Sequence, residues 1–185
     1  MSYSDQYRDI EEIIDTLMVL DTFCEASNIK VEIVIVGASG IILCMEIMNQ
    51  EMGFRPTRDI DIQITRGEVT AALQAALQEY EIEIVGGVIH FPPREDFRDD
   101  DYRYKIEGLF EAIDVYVPNI ELLACTKIFS SREKDLRDLE NTDLLNLCNK
   151  NKLIELVDEY ISNMPSRDPS SNVHDLSRIF QEKGI

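Results

Sequence analysis

The first third of the chain alternates between helical and strand-like spacing of apolar residues. From about Asp5 to Ser27 apolar side chains recur every three or four positions, which predicts an amphipathic helix. Val31 to Val36 (VEIVIV) is short, β-branched and almost unbroken, which predicts a buried strand. Gly37 to Gly40 is predicted to be a turn of small residues, and Ile41 to Met52 a helix that Gly53 ends.

The middle of the chain is dominated by strand patterns. Asp59 to Ile64 alternates polar and apolar residues, as a strand with one buried face does, and Arg66 to Tyr80 is predicted to be a helix. Four further strands are predicted in two pairs, with turns at Gly86-Gly87 and at Glu107-Gly108. These strands are Glu81–Val85, Val88–Phe91, Tyr102–Ile106 and Ala112–Val117.

Pro118 marks a change in character, because the chain is predicted to be helical from Ile120 to Ile161. A polar linker from Pro165 to Asn172 and a last short helix from Val173 to Lys183 follow. The predicted fold class is α+β. We expect a mixed β-sheet flanked by helices in residues 1–118, and a helical C-terminal portion in residues 119–185 packed on this core.

Composition favours a soluble cytoplasmic protein with an acidic surface. The chain has 185 residues, 44% of them hydrophobic, so it is long enough to bury a core without staples. Its four cysteines form no CxxC pair, which predicts free thiols in a reducing compartment, and two distant histidines disfavour a zinc site. No signal-like or membrane-spanning apolar segment is evident.

The charge balance restricts the partners. With 36 acidic and 18 basic residues, the formal net charge of −18 disfavours long nucleic acids and anionic membranes. A local basic patch could still hold a nucleotide or the end of an RNA, and divalent cations or a basic protein are complementary partners. The alternative is that the charge only keeps the protein soluble.

Asp59 and Asp61 carry the strongest chemical signal. Residues i and i+2 of a strand point the same way, so two carboxylates stand side by side. Such a pair is costly unless a cation neutralises it, and its oxygen ligands suit Mg²⁺ or Mn²⁺. Asp114 lies in an otherwise apolar strand, and if that strand neighbours Asp59, three carboxylates could hold the metals of a phosphoryl transfer.

The turn at Gly37, Ala38 and Ser39 could hold the phosphates of a nucleoside triphosphate (NTP). Small residues let a phosphate approach the backbone, the first N–H groups of the next helix point towards anions, and the Ser39 hydroxyl could add a donor. Each of these features alone is more often structural. An Asp-x-Asp can be an exposed polar face, and a single Asp in a strand can be a satisfied core residue.

In this order the elements resemble the nucleotidyltransferase superfamily. Its pattern has a strand followed by Gly-Gly or Gly-Ser, a helix, a strand with Asp-x-Asp, and a later acidic residue. Val36 to Ser39 stands at the first element, Arg58 to Ile62 at the second and Ile113 to Val115 at the third. The segment Arg55-x-Thr57-x-Asp59-Ile60-Asp61 is similar to a branch of minimal bacterial and archaeal members, which includes the toxin-type enzymes of abortive-infection systems.

The helical half extends this resemblance. Leu122 to Lys127 and Arg132 to Leu139 are similar to a lysine-bearing helix and a Lys-Asp-x-x-Asp segment of that branch, where a lysine and an acidic residue belong to the active site. The resemblance implies that Lys127, with Asp135 or Asp138, takes part in nucleotide binding and catalysis. Without the family, Lys127 could be a snorkelling lysine, and the two aspartates could form surface ion pairs with Arg132 or Lys134.

Three hypotheses follow. The first is a Mg²⁺-dependent enzyme that transfers a nucleoside monophosphate from an NTP to a hydroxyl of a small molecule, a protein or an RNA end. The second is a weakly active or inactive binding protein on the same fold, for example in a toxin–antitoxin or regulatory pair. Ala38 favours it, because the family has a second glycine or a serine there. The third is a helical adaptor, which predicts that Asp59, Asp61 and Asp114 lie far apart.

Overall fold

The computed structural model describes residues 9–50, 54–86, 92–164 and 168–185. The strands are β1 (Val31–Val36), β2 (Ile60–Arg66), β3 (Ile82–Ile84), β4 (Arg103–Ile106) and β5 (Ile113–Pro118). The helices are α1 (Ile10–Ala26), α2 (Gly37–Ile47), α3 (Ala71–Glu79), α4 (Ile120–Ile128), α5 (Glu133–Asn141), α6 (Leu144–Leu147), α7 (Lys150–Asn163) and α8 (Leu176–Lys183). Two short 3₁₀ helices lie at Asp96–Arg98 and Asn172–Asp175.

The five strands form one mixed sheet in the order β3-β2-β1-β5-β4. The central strand β1 is antiparallel to β2 and parallel to β5, whereas β3 is parallel to β2 and β4 is antiparallel to β5. This sheet, with helices packed against it and a helical C-terminal part, confirms the predicted α+β fold class. The proposed hairpin partner of β3, Val88–Phe91, lies outside the described residues.

The two faces of the sheet differ in polarity, as the alternating pattern of β2 predicts. Ile33 and Ile35 of β1 pair in register with Ile64 and Ile62 of β2, and all four are buried under the helices. The opposite face carries polar residues, namely Glu32, Asp61, Gln63, Glu83, Asp114 and Tyr116. The candidate chemistry of β2 therefore lies on the polar face.

Helix α2 starts earlier than the sequence suggests. Gly37 to Gly40 form its first turn instead of a separate loop, and the helix ends at Ile47. Asn49 follows with a left-handed backbone (φ 52°), and the N–H of Gln50 donates to the carbonyl of Met45. This Schellman-type ending closes the helix before Gly53, which lies outside the described residues.

The helical part shares a core with the sheet. α4 packs against α2 on one side and against α5 and α7 on another. A β-carbon added at Gly40 of α2 would lie 3.1 Å from Cδ2 of Leu123. The division at residue 118 stays a prediction, but the packing brings α4 beside the first turn of α2. No helix of the described segments is long and apolar enough to cross a membrane.

Candidate active site

The first turn of α2 and the carboxylate of Asp61 meet at one end of the sheet. Asp61 of β2 pairs in register with Val36, the last residue of β1, directly before Gly37. A β-carbon at Gly37 would lie only 2.3 Å from Oδ2 of Asp61, and Gly37 has a left-handed backbone (φ 63°). The free N–H groups of a helix start therefore lie beside a carboxylate on the polar face.

Asp61 lies in an environment that disfavours its negative charge. Burial raises its pKa above the ordinary value, and the negative charges of Glu83 and Asp59 raise it further. The positive charges of Arg132 and Lys127 act in the opposite direction. Because the net effect is an increase, Asp61 is a carboxylate that gains from a nearby cation.

Glu83 belongs to this carboxylate group, although the sequence analysis missed it. It is the register partner of Asp61 on the neighbouring parallel strand β3, so the two side chains share a face. The predicted strand at residues 81–85 contained Glu83, but only the pairing of β3 with β2 shows that it lies beside Asp61.

Asp114 does not join Asp59 and Asp61, contrary to the expected convergence of three carboxylates. It is the register partner of Glu32, near the start of β1, whereas Asp61 pairs with Val36 at the other end. Four residues along the strands and two strands across amount to about 16 Å between their backbones. The Asp114 side chain is 55% exposed and forms a 2.6 Å ion pair with Lys105.

The register explains why β5 supplies no carboxylate at this end of the sheet. Val34 pairs with Tyr116, and two residues further along the same register Pro118 lies level with Val36 and Asp61. Asp114, which supplies the carboxylate of β5, lies four residues before Pro118 and therefore does not reach this end of the sheet. Among the described residues no group of three or more His, Cys, Asp or Glu side chains is arranged to hold a metal ion.

Ser39 does not direct its hydroxyl towards a phosphate site. Its side chain is fully buried, and Oγ donates a 3.1 Å hydrogen bond to the carbonyl of Val36. This bond satisfies the hydroxyl inside the first turn of the helix, so the expected side-chain donor is not available at the surface. In this turn Gly37 is half-buried and Ala38 is 6% exposed, so only their backbone groups are within reach of a phosphate.

Lys127, Asp135 and Asp138 form a buried ionic cluster. Nζ of Lys127 donates 2.8 Å hydrogen bonds to Oδ1 of Asp135 and to Oδ2 of Asp138. All three residues are at most 3% exposed, so they are neither a snorkelling lysine nor surface ion pairs. Leu123 packs near Gly40 of α2, and Lys127 follows it by one helical turn, which orients the cluster towards the start of α2.

Arg55 links this cluster to the segment before β2, which contains Asp59, while Asp61 lies on β2 itself. Its guanidinium binds Asp138 through two parallel bonds, Nε to Oδ1 at 2.6 Å and Nη2 to Oδ2 at 2.9 Å. Arg55 lies in the motif that precedes Asp59, but the sequence analysis assigns it no role. Within the sequence, only its place in this motif, four residues before Asp59, indicates that Arg55 belongs to the site.

The charges of this cluster favour the ionised form of Asp135. Burial opposes ionisation of Asp135, but the Lys127 ammonium and hydrogen bonds from Lys127, Ser130 and Arg132 outweigh it and hold the pKa of Asp135 below its ordinary value. The cluster is thus a set of fixed charges behind the site.

A comparison with known protein families identifies the family to which the chain belongs. Residues 12–183 match a family described as "Nucleotidyltransferase of unknown function (DUF6036)". The chain belongs to this nucleotidyltransferase family. The predicted membership of the superfamily is therefore confirmed. No curated protein and no solved structure matches the chain significantly.

The match covers both halves of this nucleotidyltransferase, so the buried cluster of Lys127, Asp135 and Asp138 lies within the family region together with Asp59 and Asp61. The Arg55–Asp138 pair joins the segment before β2 to helix α5, although these two parts of the chain are far apart in sequence. The roles of the individual residues stay predictions.

Substitution of Gly37 by alanine is expected to weaken both folding and nucleotide binding. The left-handed backbone costs a β-carbon about 1–2 kcal/mol, and the new methyl would also collide with the Asp61 carboxylate. We expect the free energy of unfolding to fall by about 2–4 kcal/mol, measured by urea denaturation.

Gly108→Ala is the matched control for this change. Gly108 also has a left-handed backbone (φ 77°), but apart from its own chain neighbours no atom of the described residues lies within 4 Å of its added β-carbon. The control carries the backbone strain alone, so Gly37→Ala should be the more destabilising change and the only one that reduces nucleotide affinity. Equal effects in both variants would show that the contact with Asp61 is unimportant.

Proposed function

We propose that this nucleotidyltransferase transfers a nucleoside monophosphate from an NTP to a hydroxyl acceptor in a Mg²⁺-dependent reaction. The observation that carries the proposal is the contact between Asp61 and the first turn of α2. A carboxylate that gains from a nearby cation lies beside backbone N–H groups that suit a phosphate, and a Mg²⁺-bound triphosphate would satisfy both.

The residues present fit a divalent cation. Asp59 and Asp61 provide hard oxygen donors, and Mg²⁺ is commonly bound by one or two protein carboxylates together with the phosphates of the substrate. A third protein carboxylate is therefore not required for binding the nucleotide. When bound, the metal would neutralise charge on the phosphates during the transfer.

The other groups bind and orient the substrate. Backbone N–H groups of Gly37 and Ala38 would donate to phosphate oxygens, whereas Ser39 is fully buried. Lys127 lies behind this site and supplies a positive charge that already acts on Asp61. The acidic surface of the protein favours an acceptor hydroxyl on a small molecule, a protein or an RNA end over a long RNA.

Isothermal titration calorimetry with each of the four NTPs, with Mg²⁺ and with EDTA, tests the proposal. We expect at least one NTP to bind in the presence of Mg²⁺, with affinity at least tenfold weaker in EDTA, and pyrophosphate to be released when a suitable hydroxyl acceptor is added. If none of the four binds, the proposal is wrong.

A binding protein without turnover is the second candidate, and two observations favour it. Asp114 is distant from Asp61, and the Ser39 hydroxyl is turned inward. Such a protein would act through a partner, as one half of a toxin–antitoxin or regulatory pair. It predicts Mg²⁺-dependent NTP binding without pyrophosphate release in any mixture of acceptors.

A further inference from the structure

The Arg132 guanidinium is hydrogen-bonded through Nε, while most of the side chain is exposed to solvent. Its Nε donates a 2.7 Å hydrogen bond to Oδ2 of Asp135, yet the side chain is 74% exposed. Its backbone N–H also donates to the hydroxyl of Ser130. Within the part of the chain that the structure describes, no hydrogen bond or ion pair involves the two terminal nitrogens of this guanidinium.

Asp135 is a rigid anchor for this guanidinium. It is 1% exposed, and its two oxygens are held by different donors, Oδ1 by Lys127 and Oδ2 by Ser130 as well as Arg132. A guanidinium anchored in this way loses little conformational entropy when its outer edge binds a ligand.

The charge balance of the cluster leaves its uncompensated positive charge at Arg132. The two carboxylates of Asp135 and Asp138 are shared among three cations, which are Lys127, Arg55 and Arg132. Lys127 is 3% exposed and held by both carboxylates, and Arg55 is engaged through two nitrogens with Asp138. Most of the exposed donors that remain belong to Arg132, whose side chain is 74% exposed, compared with 31% for Arg55.

Hydrogen bonds connect Arg132 with the segment that precedes Asp59 and Asp61. Contacts run from Arg132 through Asp135, Lys127 and Asp138 to Arg55, which lies four residues before Asp59. Arg132 therefore belongs to the same network of ion pairs as the segment that leads into β2.

We propose that Arg132 binds the phosphates of the NTP through its two terminal nitrogens, and that Asp135 positions it. This inference rests on the proposed function and adds a residue to it. A triphosphate approaching a chain of net charge −18 needs a local positive group, and an arginine fork matches two phosphate oxygens at once. Asp135 is then a positioning residue and not itself a nucleotide ligand.

Binding of an NTP and of inorganic tripolyphosphate, each with Mg²⁺, tests the inference by calorimetry in Arg132→Ala and Arg132→Lys. We expect Arg132→Ala to weaken both ligands at least tenfold. Arg132→Lys should restore part of this loss, because a lysine keeps the charge without the fork or the anchor. The melting temperature should change little, because the side chain is mostly exposed.

Arg137→Ala is the matched control. Arg137 lies on helix α5, which begins directly after Arg132, and it is 62% exposed and pairs with Glu133. Its removal subtracts the same net charge from the protein and should leave both affinities within about twofold.

The outcomes separate this inference from the proposed function. If the wild-type protein binds an NTP and Arg132→Ala binds it equally well, the role of Arg132 is refuted and the proposed function stands. An equal loss in Arg132→Ala and Arg137→Ala would also refute it, because the effect would then come from net charge. If the wild-type protein binds no NTP, both are wrong.

Discussion

Substitution of Lys127 by methionine is expected to lower the free energy of unfolding by about 3–5 kcal/mol. The change removes the ammonium that lies between Asp135 and Asp138, and leaves two buried carboxylates with less compensation. Methionine is similar in length and apolar, so the loss reports the missing charge more than a cavity. Urea denaturation monitored by circular dichroism at pH 7 measures it.

Lys134→Met is the control for this substitution, since Lys134 lies on the exposed side of α5. We expect it to change stability by less than about 0.5 kcal/mol. If Lys127→Met and Lys134→Met were equally stable, the buried ion pairs of Lys127 would contribute no more to stability than an exposed lysine does.

The pH dependence of stability provides a second measurement on Lys127→Met. The folded-state pKa of Asp135 lies below its ordinary value of 3.8. The ionised carboxylate therefore adds its full contribution to the stability of the fold above pH 3.8, and this contribution is lost as the pH falls through the lowered pKa. Lys127 is the main favourable charge in this effect. The variant should therefore lose less stability than the wild type between pH 5 and pH 3.

Substitution of Asp61 by asparagine is expected to reduce the rate of nucleotidyl transfer at least about 10³-fold, or about 4 kcal/mol in the barrier. Asparagine retains the shape but not the charge that would hold the divalent cation. Stability should not fall. The pKa of Asp61 is raised, so its ionisation costs folding energy as the pH rises through that pKa. Pyrophosphate release and thermal unfolding give the two readouts.

Asp114→Asn provides the comparison for Asp61→Asn. Asp114 is on the same face of the sheet, but it is mostly exposed and pairs with Lys105. Its substitution should leave the rate within about twofold. A similar loss of rate in both variants would mean that Asp114 acts in the reaction despite its distance, and an active Asp61→Asn would refute the role of Asp61.

Local sequence patterns were sufficient for the elements that build the site. The β-branched run of β1 and the alternation in β2 lie close to where the pattern predicts them. Helix α4 begins at Ile120 as predicted but ends at Ile128, within the stretch 120–161 that the pattern predicts to be helical. Patterns in the chain report backbone conformation and burial well, because both depend mostly on neighbours a few positions away. The start and the end of α2 differ from the predicted ones. The start differs because a turn of small residues and the first turn of a helix can have the same composition.

The sequence by itself determined the residue types of the site, including Asp59, Asp61, Lys127, Asp135 and Asp138, and the resemblance that the family match confirmed. Tertiary structure decided which of them meet. Strand register placed Asp114 at the far end of the sheet and Glu83 beside Asp61, and helix packing buried the Lys127 cluster against Arg55. Register and packing join residues tens of positions apart, so no spacing along one chain encodes them.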